Sequence, residues 1–522
     1  MPKNEHFEPA LYGIGLLFGL LPLWACGHIP MVDLPQHLHL ISVLHRLGDP
    51  TTLFPGAFET RGQLTPYLGY YYLVSWLSWL VPLDLANRLF LSAYVVGLPL
   101  SLAFLLKSLK RPAWPSLLAL PFAYGDSFAW GFINYVAALP LTFLCCGLFV
   151  RSVSDSERRR AWAGGLAVAL VAVLLFHVQA FAFLGLGLPL LLVTTRSPER
   201  GDARRWLAAR KWALAGVVPG VALFAAWVVG RLGEPAEVQY GAPWRAWGPL
   251  LSPQNLAYKP FAQNRAELVE VLANMLRDGS DRWGLYAAAA VAAVGLLLGL
   301  LPQTREPALR EEGLERLRLV GLAAIALVLF FTLPFDIRGT MYYLNTRFAH
   351  LAAPLVLAAV PAARERFRRP LLVLAVASAV AVGIPLARGF AAFDAEARQV
   401  DRLAEVSPAR PRVMGLIFDP GSRVMTHPVF LHAATEIARA RGGITNFSFA
   451  LTPHSPLKYR GDPPPTFPSE WRPDQLDYER QGRAYDLFLV KGVAPARVFG
   501  SLLESELAVA GQAGDFWLVQ RR

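Results

Sequence analysis

The sequence is poor in cysteine. Cys26, Cys145 and Cys146 are the only three in 522 residues, and all lie inside apolar runs. The polar stretches hold none, which excludes a disulfide framework or a thiolate metal site there. Charge is also scarce. Asp, Glu, Lys and Arg make up 17% of the chain, against about 25% in a soluble domain. Signature motifs are missing too: there is no Walker A, no GxGxxG after a strand, no HExxH and no GxSxG. Nothing therefore points to a nucleotide or nicotinamide cofactor. No unit repeats along the chain, which excludes a solenoid.

What is present is apolar. The chain is 54% hydrophobic with a mean hydropathy of +0.37. Several runs reach the roughly 20 residues that a bilayer span needs, and the pattern reads as a polytopic α-helical membrane protein with about eleven to twelve transmembrane helices. The first run, from about Ala10 to Cys26, has no small-residue cleavage site after it and reads as an uncleaved span. Two runs are ambiguous. The aromatic stretch from Tyr67 to Leu80 reads as lying at the interface, and the short Trp114–Tyr124 run reads as crossing.

The formal charge of +12 does not make this a nucleic-acid binder. The basic residues form short clusters between apolar runs, not a stripe on a soluble domain. Loops 107–115, 151–160, 196–211, 303–318 and 364–369 hold 21 Lys or Arg in 57 residues. Loops 28–66, 124–131, 231–282 and 336–347 hold 10 in 111. The positive-inside rule puts the first set and the N-terminus in the cytoplasm and the second set outside. Wet loops 27–66, 124–131, 231–282 and 336–347 then share one outer face.

From about Arg388 the composition turns charged and proline-rich. The expected division is a membrane domain over 1–388 and an outer α/β domain over 389–522. Val413–Phe418, Tyr485–Val490 and Phe516–Val519 read as strands. Phe430–Arg441 and Arg497–Leu507 read as helices.

Met31-Val32-Asp33-Leu34-Pro35-Gln36-His37-Leu38-His39 follows the first span directly. A carboxylate at a membrane boundary is a functional candidate, and Asp33 is the foremost catalytic one. It also suits the N-cap of a following helix, with Pro35 in the first turn. Leu34, Leu38, Ile41, Leu44 and Leu47 fall near one face, as in an amphipathic helix lying on the membrane surface. His37 and His39 point to different sides of such a helix, which is poor metal geometry. One of them at most faces a site, and the other is expected in solvent.

Asp126, in a glycine-flanked turn near Asn134, is a second candidate acid. His177 caps a helical hairpin on the same face. Arg338, Tyr343 and Arg347 form a compact outer loop whose arginine forks suit phosphate. Asp33 and Asp126 are thus the catalytic candidates. His37, Asn134, His177, Arg338, Tyr343 and Arg347 are the binding candidates, and no residue is assigned to a metal.

Four motifs carry a family resemblance. They are Val32-Asp33-Leu34-Pro35-Gln36-His37, Thr65-Pro66-Tyr67, Asn87-Arg88-Leu89 and Gly131-Phe132-Ile133-Asn134-Tyr135. With many spans and a C-terminal outer domain, the chain resembles the GT-C superfamily of membrane glycosyltransferases, as a bacterial member. Leu34 stands where that family often has a second acid.

The resemblance implies transfer of a sugar from a polyprenyl-phosphate donor to a glycan, lipid or protein acceptor, outside the bacterial inner membrane. Asp33 would be the general base, with inversion at the sugar. It implies no certain cofactor, and a divalent metal is the one candidate. The alternatives are a flippase or transporter of lipid-linked saccharide, and a non-catalytic envelope scaffold. A transporter would place its polar residues near the bilayer midplane on broken helices. Here they gather at the ends of spans.

Overall fold

The structure, a computed structural model, describes residues 7–197, 203–232, 253–300, 308–337, 342–361 and 364–522. The protein is a multi-span membrane protein. Among the described residues, seven helices are long and apolar enough to cross a bilayer. They include α1 (Phe7–Trp24), which precedes the non-spanning α2 (Leu34–His45), and α3 (Leu83–Ser108). Val178–Thr194 and Thr346–Ala358 are apolar but shorter.

The two ambiguous runs take different forms. Gly69–Leu77 is a nine-residue helix, about 14 Å long and too short to cross. It leaves Trp76 and Trp79 exposed at its end. Trp114–Tyr124 is a 3₁₀ helix buried over its whole length. Pro115 sits in its first turn, where no backbone donor is needed, and Pro121 can donate in neither an α nor a 3₁₀ turn.

The last span, α4 (Glu365–Val406), continues without a break for 42 residues. The 388/389 boundary read from composition falls inside it. Its last turns leave the bundle and back onto a five-stranded sheet. The strands are β1 (Arg412–Ile417), β2 (Ile444–Thr445), β3 (Leu487–Lys491), β4 (Leu507–Ala513) and β5 (Phe516–Arg521). Their order is β2-β1-β3-β5-β4. β1 pairs in parallel with β2 and β3, and β5 pairs antiparallel with β3 and β4. The helix α5 (Ala433–Arg441) connects β1 to β2. β4 lies where a helix from Arg497 to Leu507 was expected to end. Two short helices, Pro495–Phe499 and Leu502–Ser505, fill that stretch before it.

The sheet domain is sewn to the membrane loops. Phe58–Thr60 pairs antiparallel with Leu457–Tyr459. A single bridge joins Leu276 to Met425. The surface position expected for α2 is corrected here, because Leu34 and Gln36–Val43 are all buried. Its polar side faces the sheet domain instead of water. Gln36 donates to Thr435 Oγ1 at 3.1 Å and to the Phe447 carbonyl at 2.9 Å. His39, expected in solvent, is buried with Nε2 3.1 Å from the Gly443 carbonyl.

Candidate functional site

Asp33 occupies the N-cap position of α2, yet its side chain makes no cap hydrogen bond. Its backbone is fixed from the neighbouring loop. Val32 N–H donates to the Ala129 carbonyl at 2.9 Å, and Asp33 N–H donates to the Trp130 carbonyl at 3.1 Å. Gly131 closes that loop with φ +86, a left-handed conformation that glycine adopts freely. A Cβ on Gly131 would sit 3.0 Å from Asp33 Cβ and 3.0 Å from Asp33 N. The carboxylate is therefore aimed by a turn that only glycine fits.

It is aimed at the sheet domain. Asp33 Oδ1 lies 3.3 Å from His432 Nε2, and His432 Nδ1 lies 3.5 Å from Glu470 Oε2. His432 sits at the start of α5, on the loop that leaves the carboxyl end of β1. Ligands of parallel sheets gather at that edge. The imidazole is buried and carboxylates face both of its nitrogens. Burial opposes its charge, but Glu470 and Asp33 outweigh burial and raise its pKa above the usual histidine value. Burial likewise raises Glu470, and His432 partly offsets this.

A second pair repeats the arrangement. Asp126, first residue of a one-turn helix, has Oδ1 2.9 Å from His427 Nε2. His427 comes from the same loop as His432. Gly125, just before Asp126, packs against His350, and a Cβ there would lie 2.3 Å from His350 Cε1. Trp130 stands between the groups, its ring 5.6 Å from His427 and 4.9 Å from Tyr343. Tyr343 is held at φ 57, a costly backbone for a tyrosine. Burial raises its phenol pKa, and the charges of Asp126 and Asp33 add to the rise.

Arg347 completes this face. Its guanidinium lies 4.2 Å over Phe132 and 3.4 Å from His177 Nε2, and it donates to Gln179 Oε1. Among the described residues it faces no carboxylate within ion-pair distance. That leaves a rigid cation stacked on an aromatic face, the setting in which arginine binds phosphate.

The remaining candidates have structural partners. His37 backs Asp33, with Nδ1 2.7 Å from the Tyr71 hydroxyl and Nε2 3.1 Å from the Gly131 carbonyl. Burial lowers its pKa to about 4. His177 caps the following helix by accepting from Gln179 N–H at 3.2 Å. Asn134 accepts the Tyr70 N–H at 3.1 Å and so caps Gly69–Leu77. Arg338 lies outside the described residues.

Among the described residues, no three His, Cys, Asp or Glu side chains are grouped to hold a metal ion. Asp33 and Asp126 each turn an oxygen to a histidine instead. These donors do not fit a divalent metal, and no step is derived through one.

Reading the sequence missed His427, His432 and Glu470. The stretch Met425-Thr426-His427-Pro428-Val429-Phe430-Leu431-His432 does follow an expected strand, and that topology was the available signal. Glu470 lies in a proline-rich segment with no comparable mark.

No protein-family model matches the chain, and no curated protein matches it in sequence. Solved structures share its shape. ArnT from Cupriavidus metallidurans, crystallised with undecaprenyl phosphate, superposes with a TM-score of 0.57 at 10% identity. The match covers 99% of this chain and 98% of that one. The Archaeoglobus fulgidus oligosaccharyltransferase, tethered to an acceptor peptide, gives a TM-score of 0.41 at 11% identity, over 85% of this chain and 64% of that one. The likeness to ArnT shows a shared, GT-C-like fold.

Proposed function

We propose that the chain is a membrane glycosyltransferase that moves a sugar from a polyprenyl-phosphate donor to a cell-envelope acceptor, with inversion. The observation that carries the proposal is the Asp33 carboxylate. It is held 3.3 Å from His432 and shares its face with Arg347, a guanidinium with no carboxylate partner among the described residues. A fold shared with a protein crystallised with undecaprenyl phosphate supports a donor of that class.

In the proposed step the acceptor hydroxyl attacks the anomeric carbon. The bond from that carbon to the donor phosphate oxygen breaks, and the polyprenyl phosphate leaves with the electron pair. Asp33 Oδ2 takes the acceptor proton, while Oδ1 stays on His432. General-base help of this kind contributes about 10² to 10⁴ in rate. Arg347 stabilises the charge that grows on the departing phosphate. His432, held by Glu470, keeps Asp33 in one orientation. The regions 1–388 and 389–522 then contribute complementary parts. The first brings Asp33, Asp126 and Arg347, and the second brings His427, His432 and Glu470.

The Lys and Arg distribution supports placing this face outside the cytoplasm of a bacterial inner membrane, with the N-terminus inside. The deciding experiment is transfer by purified protein in lipid from a panel of polyprenyl-phosphate sugars, with wild type beside Asp33→Asn. Transfer that is lost in a folded variant supports the proposal. Movement of lipid-linked sugar across the bilayer without transfer would overturn it in favour of a flippase.

A further inference from the structure

We infer that the cavity behind the first turn of α2 binds a zwitterionic phospholipid headgroup, an ammonium joined to a phosphodiester. The inference does not depend on the proposed reaction.

The cavity holds about 330 Å³, within the range of small-ligand pockets. It lies where three spans meet the sheet domain: just past the end of α1, at the first turns of α3, and beside α4. Trp24 is half exposed on the last turn of α1, and the Arg88 guanidinium lies 5.6 Å over its ring. Tryptophan gathers at the level of lipid headgroups, and basic side chains near span ends reach for the same level. Leu34, Leu38, Phe393 and Val400 give the cavity an apolar wall.

Its polar lining carries both signs. Arg88 donates to the Leu23 and Gly27 carbonyls at 2.8 and 2.9 Å. It faces no carboxylate within ion-pair distance among the described residues. Capping the end of α1 in this way uses two donors and leaves the charge unmatched. Also in the lining, Asp401 is 48% exposed and Asp84 is 61% exposed. Each has one cationic neighbour, His28 and Arg439 respectively, and keeps open carboxylate surface. Glu436 is the third lining carboxylate and also pairs with Arg439.

The lining thus carries three carboxylates and three basic groups, Arg88, Arg439 and His28, of which His28 also meets Asp394 at 2.8 Å. A polyanion would meet the carboxylates and a simple cation would meet the arginines. A neutral headgroup with separated charges suits both, with its phosphate at Arg88 and its ammonium at Asp401 or Asp84.

The cavity also shares its walls with Asp33. Leu34, Pro35, Ala433 and Glu436 line it from α2 and α5. The neighbouring Gln36, His432 and Thr435 face the other way, toward the Asp33 side. A bound headgroup would brace the same two helices that hold the carboxylate and its histidine.

The test uses the full chain in a neutral maltoside detergent. Native mass spectrometry counts bound lipid, and tryptophan fluorescence follows melting. The probes are phosphatidylethanolamine, phosphatidylglycerol and polyprenyl phosphate. Phosphatidylethanolamine is expected to stay bound and to raise the melting temperature more than the other two. Arg88→Gln and Asp401→Asn should each cut its retention by about tenfold, the scale of one charged contact. Either change could disturb the end of α1 or His28. Ala397→Phe fills the cavity without touching a charge and should expel the lipid as well. Equal binding of either anionic lipid would overturn the inference, as would undiminished retention in all three variants.

Discussion

His427 Nε2 lies 2.9 Å from Asp126 Oδ1, although the two residues are 301 positions apart. One comes from a membrane loop and the other from the loop after β1. Six residues after His427 that loop enters α5, having placed His432 against Asp33. Docking the sheet domain and assembling the site are thus one event.

The first expectation concerns that joint. Asp126→Asn and His427→Gln should each destabilise the protein, because each leaves a largely buried partner without its charge-assisted bond. Made together, they should cost little more than either alone, with a coupling of about 1 to 2 kcal/mol. Denaturant unfolding in detergent, run as a double-mutant cycle, measures it. Strictly additive losses would mean that the contact carries no energy.

Gly131→Ala tests how Asp33 is aimed. The added methyl meets Asp33 Cβ at 3.0 Å on a backbone with φ +86. Strain of this kind costs about 1 to 3 kcal/mol. The expected result is a lower melting temperature and a fall in kcat for sugar transfer larger than any change in KM. A fall in stability with kcat intact would show that the turn supports the fold alone.

His28 predicts a pH dependence. Its hydrogen bond to Asp401 raises its pKa to about 9, burial opposes the rise, and Asp394 reinforces it. Arg398 also reaches Asp394, at 2.7 Å, and Glu436 adds to the field. The folded value stands above the unfolded one of about 6.5. The stabilisation is therefore complete below about pH 6.5 and is lost as pH rises through about 9. Melting temperatures from pH 6 to 10 should fall across that window in wild type and fall less steeply in His28→Asn. Parallel curves would remove His28 from the account.

Arg347→Lys keeps the charge but loses the planar fork and the stacking on Phe132. The expected outcome is a fall of about tenfold in kcat/KM for the lipid-linked donor, carried mainly by kcat and equivalent to roughly 1.4 kcal/mol. A lysine variant with unchanged kinetics would place the donor phosphate elsewhere.

Much of the architecture was legible in the chain. The spans stand out because long apolar runs in a chain this poor in charge have few other uses. The strands β1, β3 and β5 were visible as continuous apolar runs after the composition changes near Arg388. The burial of α2 was not legible, since its polar side is covered by residues about 400 positions later, such as Thr435, Gly443 and Phe447. An amphipathic pattern reports two faces and does not say whether water or protein covers the polar one. The same distance hid His432 and Glu470. Asp33 stood out by its place after the first span, but nothing local marks which histidine it would meet.

The length of α4 has a geometric consequence. Its 42 residues make a rod of about 63 Å, roughly twice the thickness of the hydrocarbon core. The half beyond the bilayer works as a ruler that sets how high the sheet sits and which way it faces. One residue inserted there would lift the sheet by about 1.5 Å and turn it by about 100°. Both histidines would swing away from their aspartates at once. The spacing of acid and imidazole across this protein is written partly in a residue count, in a helix that touches neither carboxylate.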